Sequence, residues 1–277
     1  MGLENFTPKI WAATMLVRLR KALVHASLVN RDYEGTISNV GDTVKINEIG
    51  AVDVNDYTKY GALTWQALTS AQKELLIDQA KSFSFAIDDV DSVQNKPKVL
   101  TEAMSEAAYA IADTVDQHIA GLYTQAGSSI TALTVTAGNV LLNLSNFQLK
   151  LDEANVPSEG RFLPVPPWYV QKLVLAASGA VSATATVKVF DSGVIVNGFV
   201  GQMFGLNLLM SNNVNNNATV WNMMAFTRQA ITHASQIAKI RAVQRESYFD
   251  EGIKGLYLYG SKVVRPNAMV SCAATKG

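Results

Sequence analysis

Three histidines, one cysteine and a cluster of aspartates are the side chains best placed to do chemistry in this 277-residue chain. His25, His118 and His233 each stand without a second histidine at metal-ligand spacing, so they read as satisfied or exposed side chains rather than ligands. Asp88, Asp89 and Asp91 suggest calcium, but the glycine and terminal glutamate of the EF-hand register are missing. They read instead as acids that close a strand and lead into a helix. Gly198, Gly201 and Gly205 form G-x-x-G-x-x-x-G, which is not the dinucleotide fingerprint, and no phosphate-loop lysine is present. That spacing fits close backbone approach in a turn. No G-x-S-x-G elbow exists, and no Ser, His and Asp set stands out. Cys272 alone gives neither a disulfide framework nor a thiolate cluster, which fits a reducing compartment. The sequence predicts no catalytic residue, no cofactor-binding residue and no metal ligand, so function has to be read from architecture.

The elements follow from periodicity. Thr7-Pro8 supplies a capping hydroxyl and a proline at the first helical position. Trp11, Met15, Leu19, Leu23 and Ala26 then form an i, i+4 stripe flanked by Arg18, Arg20 and Lys21. A stripe this narrow must pack on something, either its own core or another subunit. Between Ile37 and Asp91 the period becomes two. SNVGDTVKINEIG, KELLID and KSFSFAIDD read as strands, the last two joined at Gln79-Ala80, with Phe83, Phe85 and Ile87 on one face. About twenty irregular residues separate the first strand from the second, which describes a long two-stranded arm. Such a pair is marginal alone and should lie on a partner.

Pro97 opens the most regular segment. Leu100, Met104, Ala107, Ile111, Val115, His118 or Ile119, and Leu122 keep helical spacing, with Glu102, Glu106, Asp113 and Asp116 on the outer face. At 1.5 Å per residue such a helix spans roughly 39 Å. A short strand over Thr131 to Thr136 follows, then a helix from about Asn139 to Ala154 with Leu142, Phe147 and Leu151 inward. RFLPVP is an extended strand that Pro164 confines to an edge or an end. Pro166-Pro167 open a helix from Trp168 to Ala177. Gly198 to Met210 is a glycine-punctuated approach to a strand, and Ser211 to Asn217 a turn whose asparagines tolerate left-handed angles. Ala218 to Met224 is a strand. A basic helix near Gln229 to Arg245 places Arg241 and Arg245 on one face with Ile237. It is too sparse in aromatics and charge for a nucleic-acid site and reads better as a solvated or intersubunit face. A hairpin from Lys254 to Val264, turning on Gly260-Ser261, closes the chain.

Composition points the same way. Apolar residues make up 48% and charged residues 17%, where an average domain carries about a quarter charged. Either the core is large or neighbours cover much of the surface. Lys+Arg and Asp+Glu balance at 23 each, leaving little net charge to keep copies apart. The charges are segregated, however. Eleven acids and four bases lie between Asp78 and Gly160, against three acids and seven bases from Phe226 to Arg265. Opposite patches of this kind can dock copies head to tail. No signal peptide and no apolar run of membrane-spanning length is present, so no membrane partner is expected.

The order of helix, β-arm, long acidic helix, mixed domain and closing hairpin resembles the major capsid protein of tailed double-stranded DNA bacteriophages, the Hong Kong 97 fold. AKSFSFAIDDVDSVQ before the long helix is similar to the end of that family's extended E-loop entering its spine helix. RFLPVPPWYVQKLV resembles the link from the peripheral to the axial domain, and GFVGQMFGLNLLMSNNV the axial glycine turn and strand. ITHASQIAKIRAVQRESYFDEGIKGLYLYGSKVVRP resembles the return to the peripheral domain. The resemblance covers nearly the whole chain.

It implies an α+β fold with an N-terminal arm (1–36), an E-loop (37–92), a peripheral domain with the spine helix (93–160), an axial domain (161–245) and a peripheral return hairpin (246–277). It implies a structural protein, not an enzyme, that self-assembles as hexamers and pentamers into an icosahedral head. The head would assemble in the cytoplasm of a bacterial host and enclose packaged double-stranded DNA touched only weakly. No fused scaffolding segment precedes the arm, so a separate scaffolding protein is expected, with a portal and possible decoration protein. Expected intersubunit contacts are Trp11, Arg18, Tyr57, Lys59, Tyr60, Trp65, Arg241 and Arg245. Lys59 near the arm tip and Asn267 near the closing hairpin carry no motif for covalent crosslinking. An encapsulin-like nanocompartment shell, and a soluble α+β enzyme, are the competing readings.

Overall fold

The computed structural model of the chain describes residues 23–32, 43–49, 70–88, 98–177, 199–244 and 250–277, with positions 21, 54, 56, 59, 60 and 66. The expected helix opening at Thr7 therefore lies mostly outside the described residues. Its far end differs from expectation: among the described residues there, Leu23 and Val24 are not helical, and a single turn, α1 (His25–Leu28), forms.

Two strands make the arm. β1 (Thr43–Ile49) pairs antiparallel with β2 (Ser70–Leu76), in register from Thr43↔Leu76 to Ile49↔Ser70. The chain then leaves that pair at Ile77-Asp78 rather than at Gln79-Ala80. β3 (Gln79–Asp88) joins a different, three-stranded sheet, in which β10 (Ile231–Gln244) pairs with β11 (Asp250–Val263) and β11 with β3. Phe83 and Phe85 stack at 6.3 Å on β3.

Against this sheet lies α2 (Lys98–Ala120), which tightens into a 3₁₀ turn over Gly121–Gln125. Val115, Ile119 and Leu122 come together with Val24, Leu28, Val29, Ile231, Tyr259 and Val263 in one buried cluster. The sequence spacing of the long helix is thus the spacing of a packed face.

Two expectations about the C-terminal region fail here. Residues 231–244 are a strand, not a basic helix, and Gly260-Ser261 lies within β11 instead of at a turn. The pairing of β10 slips by one residue between Ile237 and Lys239. This bulge at Ala238 breaks the period-two alternation, leaving apolar spacings that imitate a helix.

A seven-stranded mixed sheet forms the remainder. Its strands are β4 (Ser128–Val135), β5 (Arg161–Val165), β6 (Phe199–Met203), β7 (Leu206–Met210), β8 (Asn215–Asn217), β9 (Val220–Thr227) and β12 (Met269–Lys276). The order is β4-β12-β9-β5-β7-β6, with β8 on β9. β5 is internal, but it pairs with β9 only at Arg161 and Phe162, so Pro164 sits beyond that ladder. Phe204 and Gly205, at φ 51° and 71°, make a tight hairpin turn between β6 and β7, where a simple approach to one strand was expected. The asparagines of 215–217 form β8, and the left-handed residue of the next turn is Ala218.

Helices α3 (Val140–Glu153) and α4 (Pro167–Ala177) cover this sheet. Val140, Leu144, Phe147 and Leu151 face inward, whereas Leu142 is 61% exposed because it lies on the opposite side of α3. Buried Asn143 accepts a hydrogen bond from the Tyr169 hydroxyl at 2.9 Å and donates to Cys272 Sγ at 3.5 Å, tying α3, α4 and β12 together. Burial pushes the Cys272 thiol pKa up, against a smaller opposing effect of Asn143, so the lone cysteine is an inert core group.

Candidate intersubunit surfaces

The root of the arm is packed against β11. Leu258 of β11, 2% exposed, packs in a cluster with Ile46 of β1, Leu75 of β2, Ile77, Ala234 and Val264. Lys73 Nζ donates to the Val264 carbonyl at 2.6 Å, and Lys262 Nζ to the Glu74 carbonyl at 2.9 Å. A Cβ added at Gly260 would collide with the Leu76 carbonyl, so this glycine is needed for close approach of the arm to β11. Among the described residues β1 and β2 form a two-stranded sheet of their own. Lys59 and Tyr60 lie in a turn between its strands, and Tyr60 is 91% exposed at φ 70°. Lys59 Nζ sits 5.2 Å from the Tyr60 ring centre.

A second anchoring point joins the N-terminal segment, the long helix and the mixed-sheet unit. Asp116, expected on the outer face of the long helix, is fully buried. Its carboxylate accepts from Ala26 N–H at 2.9 Å and from Asn213 Nδ2 at 3.0 Å, and lies 3.3 Å from His25 Nδ1. Burial raises the Asp116 pKa, but the hydrogen bond and charge of His25, with Ala26 and Asn213, outweigh it and hold the group below the usual carboxylate value. Asn213 also donates to Asp113 at 2.7 Å, and Lys21 Nζ reaches Asp113 at 3.5 Å. Nothing in the sequence distinguishes Asp116 from its neighbours, because its partners lie about ninety residues away or more in each direction.

His118 and His233, expected in separate helices, flank one ring. Their centroids lie 5.3 Å and 6.1 Å from that of Tyr259. His233 sits on β10, fully buried, with Nδ1 2.8 Å from Ser261 Oγ and Nε2 without a hydrogen-bond partner. Burial, aided by the charges of Arg31 and His118, lowers its pKa to about 4. Among the described residues no group of three His, Cys, Asp or Glu side chains could hold a metal ion. No described helix is long and apolar enough to cross a membrane.

Of the expected contact residues, Lys59, Tyr60 and Arg241 are described and exposed, whereas Trp11, Arg18, Tyr57, Trp65 and Arg245 lie outside the described residues. Arg241 faces Lys254 across the β10–β11 ladder, setting two like charges side by side.

The model of the phage capsid protein family matches residues 72–272, from β2 to β12. The chain belongs to the phage capsid protein family. A solved chain of Mycobacterium phage Che8 is 29% identical, with a TM-score of 0.76 over 98% of each chain. The capsid structure of cyanophage P-SCSP1u is 20% identical over 100% of this chain and 95% of its own, with a TM-score of 0.73. The capsid of Ralstonia phage GP4 shares the fold at 13% identity and a TM-score of 0.68, covering 100% and 98%. No curated protein matches. The fold is thus the α+β fold of Hong Kong 97 type, and the chain is a structural major capsid protein. Copies of it form the phage head, and its place is the virion capsid.

Proposed function

We propose that the chain assembles as hexamers and pentamers into an icosahedral head around packaged double-stranded DNA, and that it performs no catalysis. The observation that carries this reading is the arm: β1 and β2 are anchored at Leu258 and Gly260 and, among the described residues, form a two-stranded sheet of their own, which is marginal in water without a partner. A neighbouring copy supplies that partner. Tyr60 and Lys59 at the exposed turn, with Trp11, Arg18, Tyr57, Trp65 and Arg245, are the contacts we assign to it. Arg241 beside Lys254 offers a cationic pair that a neighbour's carboxylate would neutralise.

The sheets support a particular division of labour. We assign β4 to β9 with β12 to the axial unit and α2 with β3, β10 and β11 to the peripheral unit, in place of the bounds 93–160, 161–245 and 246–277 expected from the sequence. The segment 1–36 serves as the N-terminal arm and β1–β2 as the E-loop. Scaffolding protein, portal and decoration protein are separate chains in this reading, and DNA meets the inner surface weakly. Electron cryomicroscopy of purified particles tests it. DNA-filled shells with hexamers, pentamers and a portal vertex are expected. Closed shells holding protein cargo, with no portal, would favour a nanocompartment instead.

A further inference from the structure

Two buried histidines meet opposite surroundings. His25, 1% exposed, faces the Asp116 carboxylate at 3.3 Å. His233, with no exposed surface, has Ser261 Oγ 2.8 Å from Nδ1, while its buried Nε2 has no hydrogen-bond partner. With Nδ1–H donating to Ser261, a neutral ring leaves only a lone pair at Nε2. A protonated ring carries N–H on both nitrogens, so it would bury a charge and a donor without an acceptor.

Each element packed on His233 adds to this. The N-terminal segment brings Arg31 and α2 brings His118, and both disfavour a proton on the ring. β11 contributes the uncharged hydroxyls of Ser261 and of Tyr259, whose ring lies 6.1 Å away. Asp78 and Lys81 act on His118 with opposite sign, and neither is among the groups that shift His233. Among the described residues no carboxylate offsets the charge that His233 would gain.

The same residue holds a backbone clasp. Asn30 forms a parallel bridge with Thr232. Asn30 N–H donates to the Ile231 carbonyl at 3.0 Å, and His233 N–H donates to the Asn30 carbonyl at 2.9 Å. Arg31 follows Asn30 directly, so charge on His233 repels the segment at its point of attachment. Opening two hydrogen bonds is a far smaller event than separating α2 from the sheet.

We infer that residues 30–32 and the start of β10 form an acid-released clasp: protonation of His233 beside Arg31 lifts the segment from the strand while the rest of the subunit stays folded. Lifting it takes Arg31 away from the ring and admits water to Nε2. In the closed form burial, Arg31 and His118 lower the pKa to about 4, and in the open form it returns to the ordinary 6.5. The open form therefore binds the proton more readily, and opening increases as pH drops from 6.5 towards 4. Between pH 7 and pH 5 the opening constant grows roughly twentyfold. The clasp belongs to the single subunit and does not depend on how copies are arranged in the head.

Hydrogen exchange of the full-length chain, read by mass spectrometry and corrected for the intrinsic rate at each pH, tests this. Protection over residues 28–32 and 231–235 should fall about twentyfold from pH 7 to pH 5, with residues 140–151 of α3 unchanged. His233→Gln, which cannot take the charge, should remove the pH response. Arg31→Gln, at an exposed position, should make it shallower and decides the matter alone if His233→Gln fails to fold. Wild-type protection that ignores pH, or that falls equally in α3, would overturn the inference. So would a full pH response retained in either variant.

Discussion

Asp116 has no solvent contact, and three donors from two distant segments converge on its carboxylate. Truncation by Asp116→Ala leaves Ala26 N–H without its acceptor and Asn213 Nδ2 with Asp113 alone, so the subunit should lose about 2–4 kcal/mol, read as a lower unfolding midpoint. Because the folded pKa lies below the unfolded one, this stability is present above about pH 4 and falls away as pH drops through the folded value. His233 acts in a higher window. Its folded pKa of about 4 lies below the ordinary 6.5, so the unfolded chain binds the proton first. Stability should therefore fall as pH drops from about 6.5 towards 4, with His118 shifted in the same direction. A His233→Leu variant should show a flatter melting-temperature profile over that range, and an unchanged slope would refute the assignment. Gly260 makes a steric claim: Gly260→Ala should loosen the arm root and lower the melting temperature, since no Cβ fits against Leu76.

Among the elements, β11 bears the most consequence, because it joins the peripheral sheet and the arm root through Leu258. Leu258→Asp places a carboxylate in that cluster at a cost of about 3–5 kcal/mol, enough to abolish particles in a density gradient. Normal particle yield would show that the cluster does not hold the arm. The elements also show what sequence could and could not reveal. The long helix, α3, α4, β1 and β2 were legible because each keeps one unbroken period. β10 was misread because the bulge at Ala238 resets its alternation, and β11 was cut short because Gly260-Ser261 looks like a turn in isolation. The glycine answers a tertiary demand from Leu76 that no local pattern encodes. Leu142 was placed inward for a similar reason: α3 offers apolar residues on both faces, and only the sheet decides between them.

For the molecule as a whole, order along the chain carried more information than any residue. Arm, long helix and mixed domain in sequence indicated a shell protein, and the family match and capsid folds bear this out. The polar anchor at Asp116 and the ring cluster at Tyr259 were not legible, because each unites segments far apart in sequence. Balanced charge and high apolar content suit a subunit whose neighbours are copies of itself. The central claim is that self-association through the anchored arm builds the head. Electron cryomicroscopy of particles from wild-type chain and from Tyr60→Asp tests it most directly. Wild-type shells should show the Lys59–Tyr60 turn seated on an adjacent copy, and the variant should yield few or no closed shells. Wild-type shells in which the arm touches no neighbour, or a variant that closes normally, would contradict the account.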